Sequence, residues 1–160
     1  MSTVLQIYEA IDRLAPFFLS MDFDNTGILV GDRQKKVERA LLALDCTKEV
    51  LRQAKELGAQ LIITHHPIIF HPIKRVNEDS LVYHLLRSDI AVISAHTNLD
   101  IAQGGVNDLL AKRIGLSDCR GLQPMDAQGT FFLGRVGSLP EGMEPQQFAQ
   151  YLKQRLGAPS

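Results

Sequence analysis

Short apolar runs separated by amphipathic helical patterns constrain the fold of this chain more than any other feature. Segment 37–46 ends in a nearly continuous apolar run, residues 48–57 place apolar side chains on one helical face, and residues 61–64 read Leu-Ile-Ile-Thr. Strands with little alternation of apolar and polar residues are typical of parallel sheets that are covered on both faces. This order therefore predicts a buried parallel strand pair joined by a right-handed helical crossover.

The alternation of strands and helices continues on both sides of this unit. Thr47 is a good amino-terminal cap for the helix over 48–57, and Gly58 is placed to end it. We predict one α/β domain over 1–160, with helices layered around a largely parallel or mixed sheet, and a loop at 117–129. Further strands are predicted at 26–32, 90–95 and 130–137, and further helices at 4–14, 80–89, 105–116 and 144–157.

The charge and composition argue against several classes of partner. The 17 Lys and Arg nearly balance the 18 Asp and Glu, which gives a net charge of −1. Such a chain has no basic field for nucleic acid. No apolar stretch reaches the roughly 20 residues of a membrane span, and two cysteines are too few for a disulfide framework. We expect a soluble cytoplasmic protein that acts on a small molecule.

Metal-binding residue types follow two of the predicted strands. His65 and His66 come directly after strand 61–64, while His96 and Asp100 come shortly after strand 90–95. Ligands of open α/β sheets gather beyond the carboxyl ends of the strands. If the two strands are neighbours, these four side chains converge at one sheet edge. We predict that His65, His66 and Asp100 bind metal. His96 is either a residue that orients a ligand or moves a proton, or a buried structural histidine.

The adjacency of His65 and His66 bears on the number of ions. Successive residues of an extended backbone point in opposite directions, so one ion is rarely reached by both side chains. Two ions ~3.5–4 Å apart would be reached by one imidazole each, and such pairs activate water for hydrolysis. Asp100 could then bind one ion or bridge both. Zinc, iron and manganese all suit these ligands. The alternative is that both histidines are ordinary loop residues.

A second motif supports a different enzyme class. Residues 22–26 read Asp-Phe-Asp-Asn-Thr, which resembles the nucleophile motif of haloacid-dehalogenase-like phosphatases. In that reading Asp22 attacks phosphorus, Asp24 moves a proton and magnesium is nearby. However, Pro16 and a helix precede the motif, where a central strand is required. A turn that starts the strand at 26–32 is the favoured interpretation.

Three segments together resemble the Nif-three-like (NGG-interacting-factor-like) family, whose members are named GTP cyclohydrolase 1 type 2 homologues. They are DNTGILVGD (24–32), IITHHPIIFHPIKRV (62–76) and SAHTNLDIAQGGVND (94–108). The resemblance implies an α/β fold with a dinuclear metal site and a homo-oligomer, commonly a hexamer. It also implies that His65, His66 and Asp100 are metal ligands and that His96 is a recurrent site residue.

The sequence departs from the family pattern in one respect. The family completes its site with a carboxyl-terminal histidine and glutamate, whereas no histidine follows His96 in these 160 residues. The chain is thus expected to be a shortened member or a fragment of a longer product. Three functions stay open: a metal-dependent hydrolase of a small, nucleotide-like substrate, a non-catalytic scaffold or protein-interaction module with a vestigial metal site, and, as the second alternative, a magnesium-dependent phosphatase that uses Asp22 and Asp24.

Overall fold

The computed structural model describes residues 1–157 and divides the chain into two compact units. The first unit comprises residues 1–99, and the second begins at Asp100. A short helix, α4 (Thr97–Ile101), spans this boundary and is numbered here in chain order. The single domain predicted over 1–160 stays a prediction.

The first unit contains a four-stranded mixed sheet with helices on both faces and a separate two-stranded sheet of β1 and β3. Its strands are β1 (Ser2–Thr3), β2 (Gly27–Val30), β3 (Lys36–Val37), β4 (Ala40–Ala43), β5 (Leu61–Thr64) and β6 (Ala91–Ser94). Its helices are α1 (Val4–Leu14), α2 (Lys48–Glu56) and α3 (Leu81–Arg87), with a 3₁₀ turn at Phe17–Leu19. The predicted α/β class and the strand–helix–strand unit are confirmed.

The order of the strands determines which loops meet at the sheet edge. The main sheet has the order β2-β6-β5-β4, and β4, β5 and β6 run parallel in register. Ala43, Thr64 and Ser94 therefore lie side by side at the carboxyl ends. Strand β2 is antiparallel to β6 and pairs Gly27 with Ser94, so the start of β2 reaches the same edge. The segments after β4, β5 and β6 and the segment before β2 converge there.

Burial on both faces explains why β5 and β6 read as continuous apolar runs. Ile62 and Val92 pack with residues of α2 and α3, such as Leu51 and Leu85. Leu61 and Ile93 belong to a second core cluster that contains Val4 of α1. In β5 and β6, side chains of alternate direction thus enter different cores, and neither direction faces water.

Polar groups determine where several elements begin and end. The Thr47 hydroxyl accepts a hydrogen bond from the Val50 N–H, which confirms it as the cap of α2. The strand predicted over 37–46 is interrupted, because the N–H groups of Glu38 and Arg39 both donate to the Gln60 side-chain oxygen at 2.9 and 3.1 Å. These bonds divert the backbone between β3 and β4.

The second unit contains a β-hairpin and two helices. Its elements are α5 (Val106–Ile114), β7 (Ser117–Pro124), β8 (Phe132–Ser138) and α6 (Pro145–Leu156). The loop predicted over 117–129 is wrong for its first eight residues, which form β7. This strand is almost entirely exposed, so it lacks the apolar pattern that marks a strand. Its pairing partner β8 and the ring of Phe132 over Gly121 hold it in place.

None of the helices within residues 1–157 has the length and apolar character needed to cross a bilayer.

Candidate metal centre

The histidine pair after β5 lies on a bend that two buried hydroxyl groups stabilise. The Thr64 hydroxyl donates to the backbone oxygen of His66 at 2.9 Å and lies 2.8 Å from the Ser94 hydroxyl. Thr64 and Ser94 are both buried, so these bonds form away from competing water. The extended conformation consequently ends at Thr64. The rings of His65 and His66 lie on the same side, with their centroids 5.2 Å apart.

His96 brings a third imidazole to this pair. Its ring centroid lies 5.1 Å from that of His65 and 5.6 Å from that of His66, in both cases with the rings edge-on. One ring nitrogen from each histidine lies within 4.8 Å of the other two. All three residues belong to the first unit, at the carboxyl ends of the neighbouring strands β5 and β6. We refer to them as the imidazole cluster.

Each imidazole of the cluster makes a hydrogen bond through Nδ1. His65 donates to the backbone oxygen of Ala95 at 3.0 Å, and His66 donates to Asp45 at 2.7 Å. His96 donates to both oxygens of Asp24, at 3.0 and 3.1 Å. Because a carbonyl or carboxylate can only accept, Nδ1 carries the proton in all three rings. The lone pair then resides on Nε2, which is the arrangement of a metal-binding histidine.

Asp24 is the most strongly anchored of these acceptors. Its side chain is fully buried and also accepts from the Thr97 hydroxyl at 2.5 Å and the Thr97 N–H at 3.1 Å. Burial acts to raise the pKa of this carboxyl, but the hydrogen bonds from Thr97, His96 and Asn25 outweigh it and lower the pKa. Asp24 therefore remains ionised at neutral pH and fixes the orientation of His96.

The residues present fit a divalent transition metal. Two ligands of one zinc ion lie at most about 4.2 Å apart, which is twice a zinc–nitrogen bond of about 2.1 Å. The ring nitrogens of the cluster lie within 4.8 Å of one another, which is close to the span that one ion can bridge. Imidazole ligands suit zinc and iron, and carboxylates that support the rings are typical of metal sites.

The predicted site residues differ in where the structure places them. His65, His66 and His96 are brought together, although the expectation that His65 and His66 point in opposite directions is wrong, because the backbone bends after Thr64. Asp100 lies in α4 as the first residue of the second unit, and its part in a metal site stays a prediction. His71 and His84 lie outside the imidazole cluster.

Sequence reasoning missed the two supporting carboxylates. Asp45 directly follows the apolar run of β4, which is the neighbour of β5. An acidic residue at this position could have indicated a hydrogen-bond partner for a histidine after β5. Asp24 was interpreted only as a turn residue or as part of a phosphatase motif. Its role depends on the antiparallel pairing of β2 with β6, for which the local sequence contains no signal.

The structure disfavours the phosphatase interpretation of residues 22–26. A 3₁₀ turn at Phe17–Leu19 and a turn at 21–24 precede the motif, in place of the strand that a nucleophilic Asp22 requires. The Asp24 carboxylate, which would move the proton, is already engaged by His96 and Thr97.

Comparisons with known proteins agree with this architecture. The family model described as Duf34/NIF3 (NGG1p interacting factor 3) matches residues 2–160. A Clostridium perfringens protein named GTP cyclohydrolase 1 type 2 homolog is 40% identical over 159 residues, which is 94% of this chain and 59% of that protein. The crystal structure of a Bacillus cereus protein related to NIF3 is 39% identical, with a TM-score of 0.75, and covers 79% of this chain and 36% of that one.

A third relative aligns over almost the whole chain. The crystal structure of a Staphylococcus aureus hypothetical protein has a TM-score of 0.88 and 29% identity, and covers 99% of this chain and 65% of that one. This chain thus spans less than two thirds of the length of each of these three relatives.

Proposed function

The chain belongs to the Duf34/NIF3 family, and on this premise we propose that it binds divalent metal ions and hydrolyses a small molecule. The observation that carries the proposal is the imidazole cluster. Three ring nitrogens lie within 4.8 Å, and each ring is oriented by an Nδ1 hydrogen bond to an oxygen of the protein.

The ligands in this proposal come from two segments. His65 and His66 bind metal through Nε2, and Asp100, four residues after His96 in the chain, adds a carboxylate. His96 contributes either a third nitrogen or a proton-transfer group, since one of its ring nitrogens lies within 4.8 Å of a ring nitrogen of His65 and of His66. The proposed content is two ions, each zinc, iron or manganese, in a homo-oligomer of hexameric type.

The surrounding residues of the chain have defined tasks in this scheme. A divalent ion held here supplies Lewis-acid activation of the substrate and of water. Asp45 and Asp24 keep His66 and His96 in the tautomer that presents Nε2. Their negative charges also offset the positive charge that a bound cation brings. The relatives' name makes GTP the first nucleotide to assay.

Metal binding can be tested with a matched histidine pair. Protein purified without chelator should contain zinc, iron or manganese by elemental analysis. His66→Ala should lower the affinity for Zn²⁺ at least tenfold in a competition titration, whereas His71→Ala, which removes an exposed imidazole outside the cluster, should not. Equal affinities of the two variants, or wild-type protein without bound metal, would contradict the proposal. Hydrolysis should then require the metal and disappear with EDTA.

A scaffold or protein-interaction module is the second candidate, and one surface of the second unit favours it. Leu109 is 61% exposed, and with Val106 and Leu110 it lines an apolar groove on α5. Such exposed patches often mark protein contacts. A stable oligomer in solution that neither binds metal nor turns over substrate would favour this function over the hydrolase.

A further inference from the structure

A cavity of about 380 Å³ adjoins the imidazole cluster on the side of His66. It is lined by the first unit only, between the end of β4, the segment after β5 and the start of α3. Its volume is at the small end of the roughly 300–1,000 Å³ typical of ligand pockets. A ligand in this cavity would therefore be small and would lie next to a proposed metal ligand.

One side of the cavity is an aliphatic wall. Ile68, Leu81 and Val82 line it and also pack against the core cluster between the sheet and α2 and α3. Ile73 lines the cavity and is 43% exposed, so it lies near the opening. Cys46 also lines it, and burial raises the pKa of its thiol to about 11, which indicates a poorly hydrated surface. Such a wall suits the flat face of a ring.

Hydrogen-bonding groups occupy the other side. Asp45 and His66, which are joined by their 2.7 Å hydrogen bond, both line the cavity. Ser80 also lines it and stands at the amino-terminal cap of α3, but its hydroxyl makes no capping hydrogen bond. A serine at this position normally caps its helix. Its hydroxyl is thus available to a ligand.

The charge of the lining restricts the ligand further. Asp45 is acidic, and no lysine or arginine of residues 1–157 lines the cavity. An anionic group such as phosphate would be repelled there and would lose its hydration without compensation. A neutral ring with an N–H group, in contrast, can donate to Asp45 while its faces contact the aliphatic wall.

We infer that this cavity is the substrate subsite of the proposed hydrolase and binds a neutral, planar nitrogen heterocycle through an N–H group directed at Asp45. The assignment rests on the proposed function for the statement that the occupant is a substrate. The binding chemistry follows from the cavity itself.

The inference can be tested with two probes of the same shape. Indole carries one N–H donor, and benzofuran replaces that group by an oxygen that cannot donate. Binding to metal-free protein in EDTA is followed by two-dimensional NMR. Indole should shift signals of residues 45–46, 66–68, 73 and 80–82 and bind at least threefold more tightly than benzofuran. Inorganic phosphate should cause no shifts in these residues.

Matched variants locate the site. Ile73→Asp places a charge in the cavity near its opening and should weaken indole binding at least fivefold, while Val76→Asp, on the same exposed segment but outside the lining, should not. Asp45→Leu should abolish the preference for indole over benzofuran. Absence of indole binding, shifts confined to other residues, or equal binding by Ile73→Asp and Val76→Asp would overturn the inference.

A Zn²⁺ titration of the same samples separates this inference from the proposed function. Zn²⁺ binding without indole binding would overturn the subsite and leave the metal proposal standing. Indole binding without Zn²⁺ binding would overturn the metal proposal and, with it, the assignment of the ring as part of a hydrolase substrate.

Discussion

At the scale of single residues, the carboxylates are as important to this site as the histidines. A neutral imidazole can carry its proton on either nitrogen, and only the tautomer with the proton on Nδ1 presents Nε2 to a metal. Asp45 selects this tautomer for His66 through a 2.7 Å hydrogen bond, and the buried Asp24 selects it for His96. Removing such a carboxylate leaves the histidine in place, but the orientation and tautomer of its ring are then no longer fixed.

We therefore predict that Asp45→Ala weakens Zn²⁺ binding by about 10- to 100-fold, the usual effect of losing a carboxylate behind a metal-binding histidine. The measurement is a competition titration with a chromogenic chelator. Asp79→Ala, which removes an exposed acidic side chain from the segment before α3, serves as the control for the change in net charge. An equal loss of affinity in both variants would indicate a general electrostatic effect instead.

At the scale of elements, the antiparallel strand β2 is what joins Asp24 to His96. Its pairing with β6 has a register shift between Ile28 and Val30, and Gly31 follows directly with a φ of +96°. A Cβ atom at Gly31 would lie 2.8 Å from the Cα and Cβ of Ala91 in β6. The close approach of the two backbones consequently requires glycine at this position.

Two glycine substitutions separate backbone strain from steric overlap. Gly58 has a φ of +62°, and no atom lies close to where a Cβ would be added. Gly58→Ala should therefore lower the free energy of unfolding by only about 1–2 kcal/mol. Gly31→Ala should cost a further ~1–3 kcal/mol for the overlap with Ala91. Urea unfolding of both variants measures the difference. Similar values would mean that β2 and β6 can separate without loss of stability.

At the scale of the whole molecule, different interactions stabilise the interior of each of the two units. The first unit has two apolar cores, one on each face of its sheet. In the second unit, an ion pair between Asp108 of α5 and Arg135 of β8 connects the helix to the hairpin. Arg135, with its side chain only 10% exposed, also donates to the backbone oxygens of Phe132 and Gly134. Asp108 further accepts from the Gly104 N–H at 2.6 Å.

This ion pair should make stability depend on pH. The hydrogen bond from Arg135 lowers the pKa of Asp108 below its value of about 3.9 in the unfolded chain. The resulting stabilisation is fully present above that unfolded pKa and is lost as the pH falls through the folded pKa. Asp108→Asn should cost about 1 kcal/mol at pH 7, a figure reduced for the partial exposure of Asp108.

Unfolding experiments at pH 7 and pH 3 provide the test. Asp108→Asn should lose less stability between these pH values than the parent protein, because it lacks the titrating carboxylate. Glu141→Gln, which removes an exposed acidic group outside the ion pair, should behave like the parent. Parallel pH profiles for the parent protein and Asp108→Asn would contradict the prediction.

Much of the fold and part of the site were predictable because their causes are local. Strand β5 and helix α2 follow from apolar spacing, and the Thr47 cap depends on a hydrogen bond that spans three residues. The sequence likewise predicted that His65 and His66 follow β5 and that His96 follows β6. Strand β7 escaped prediction because an exposed strand carries no apolar pattern, and its stability comes from β8.

The amino-acid sequence alone determined the type of each main element in the first unit and the presence of metal-binding residues after two strands. Tertiary structure decided which nitrogen each histidine presents. The partners of His66 and His96 lie 21 and 72 residues away in the chain, and they meet only because β4 lies beside β5 and β2 lies beside β6 in the same sheet. Strand order depends on the packing of the whole sheet, so no local pattern encodes it.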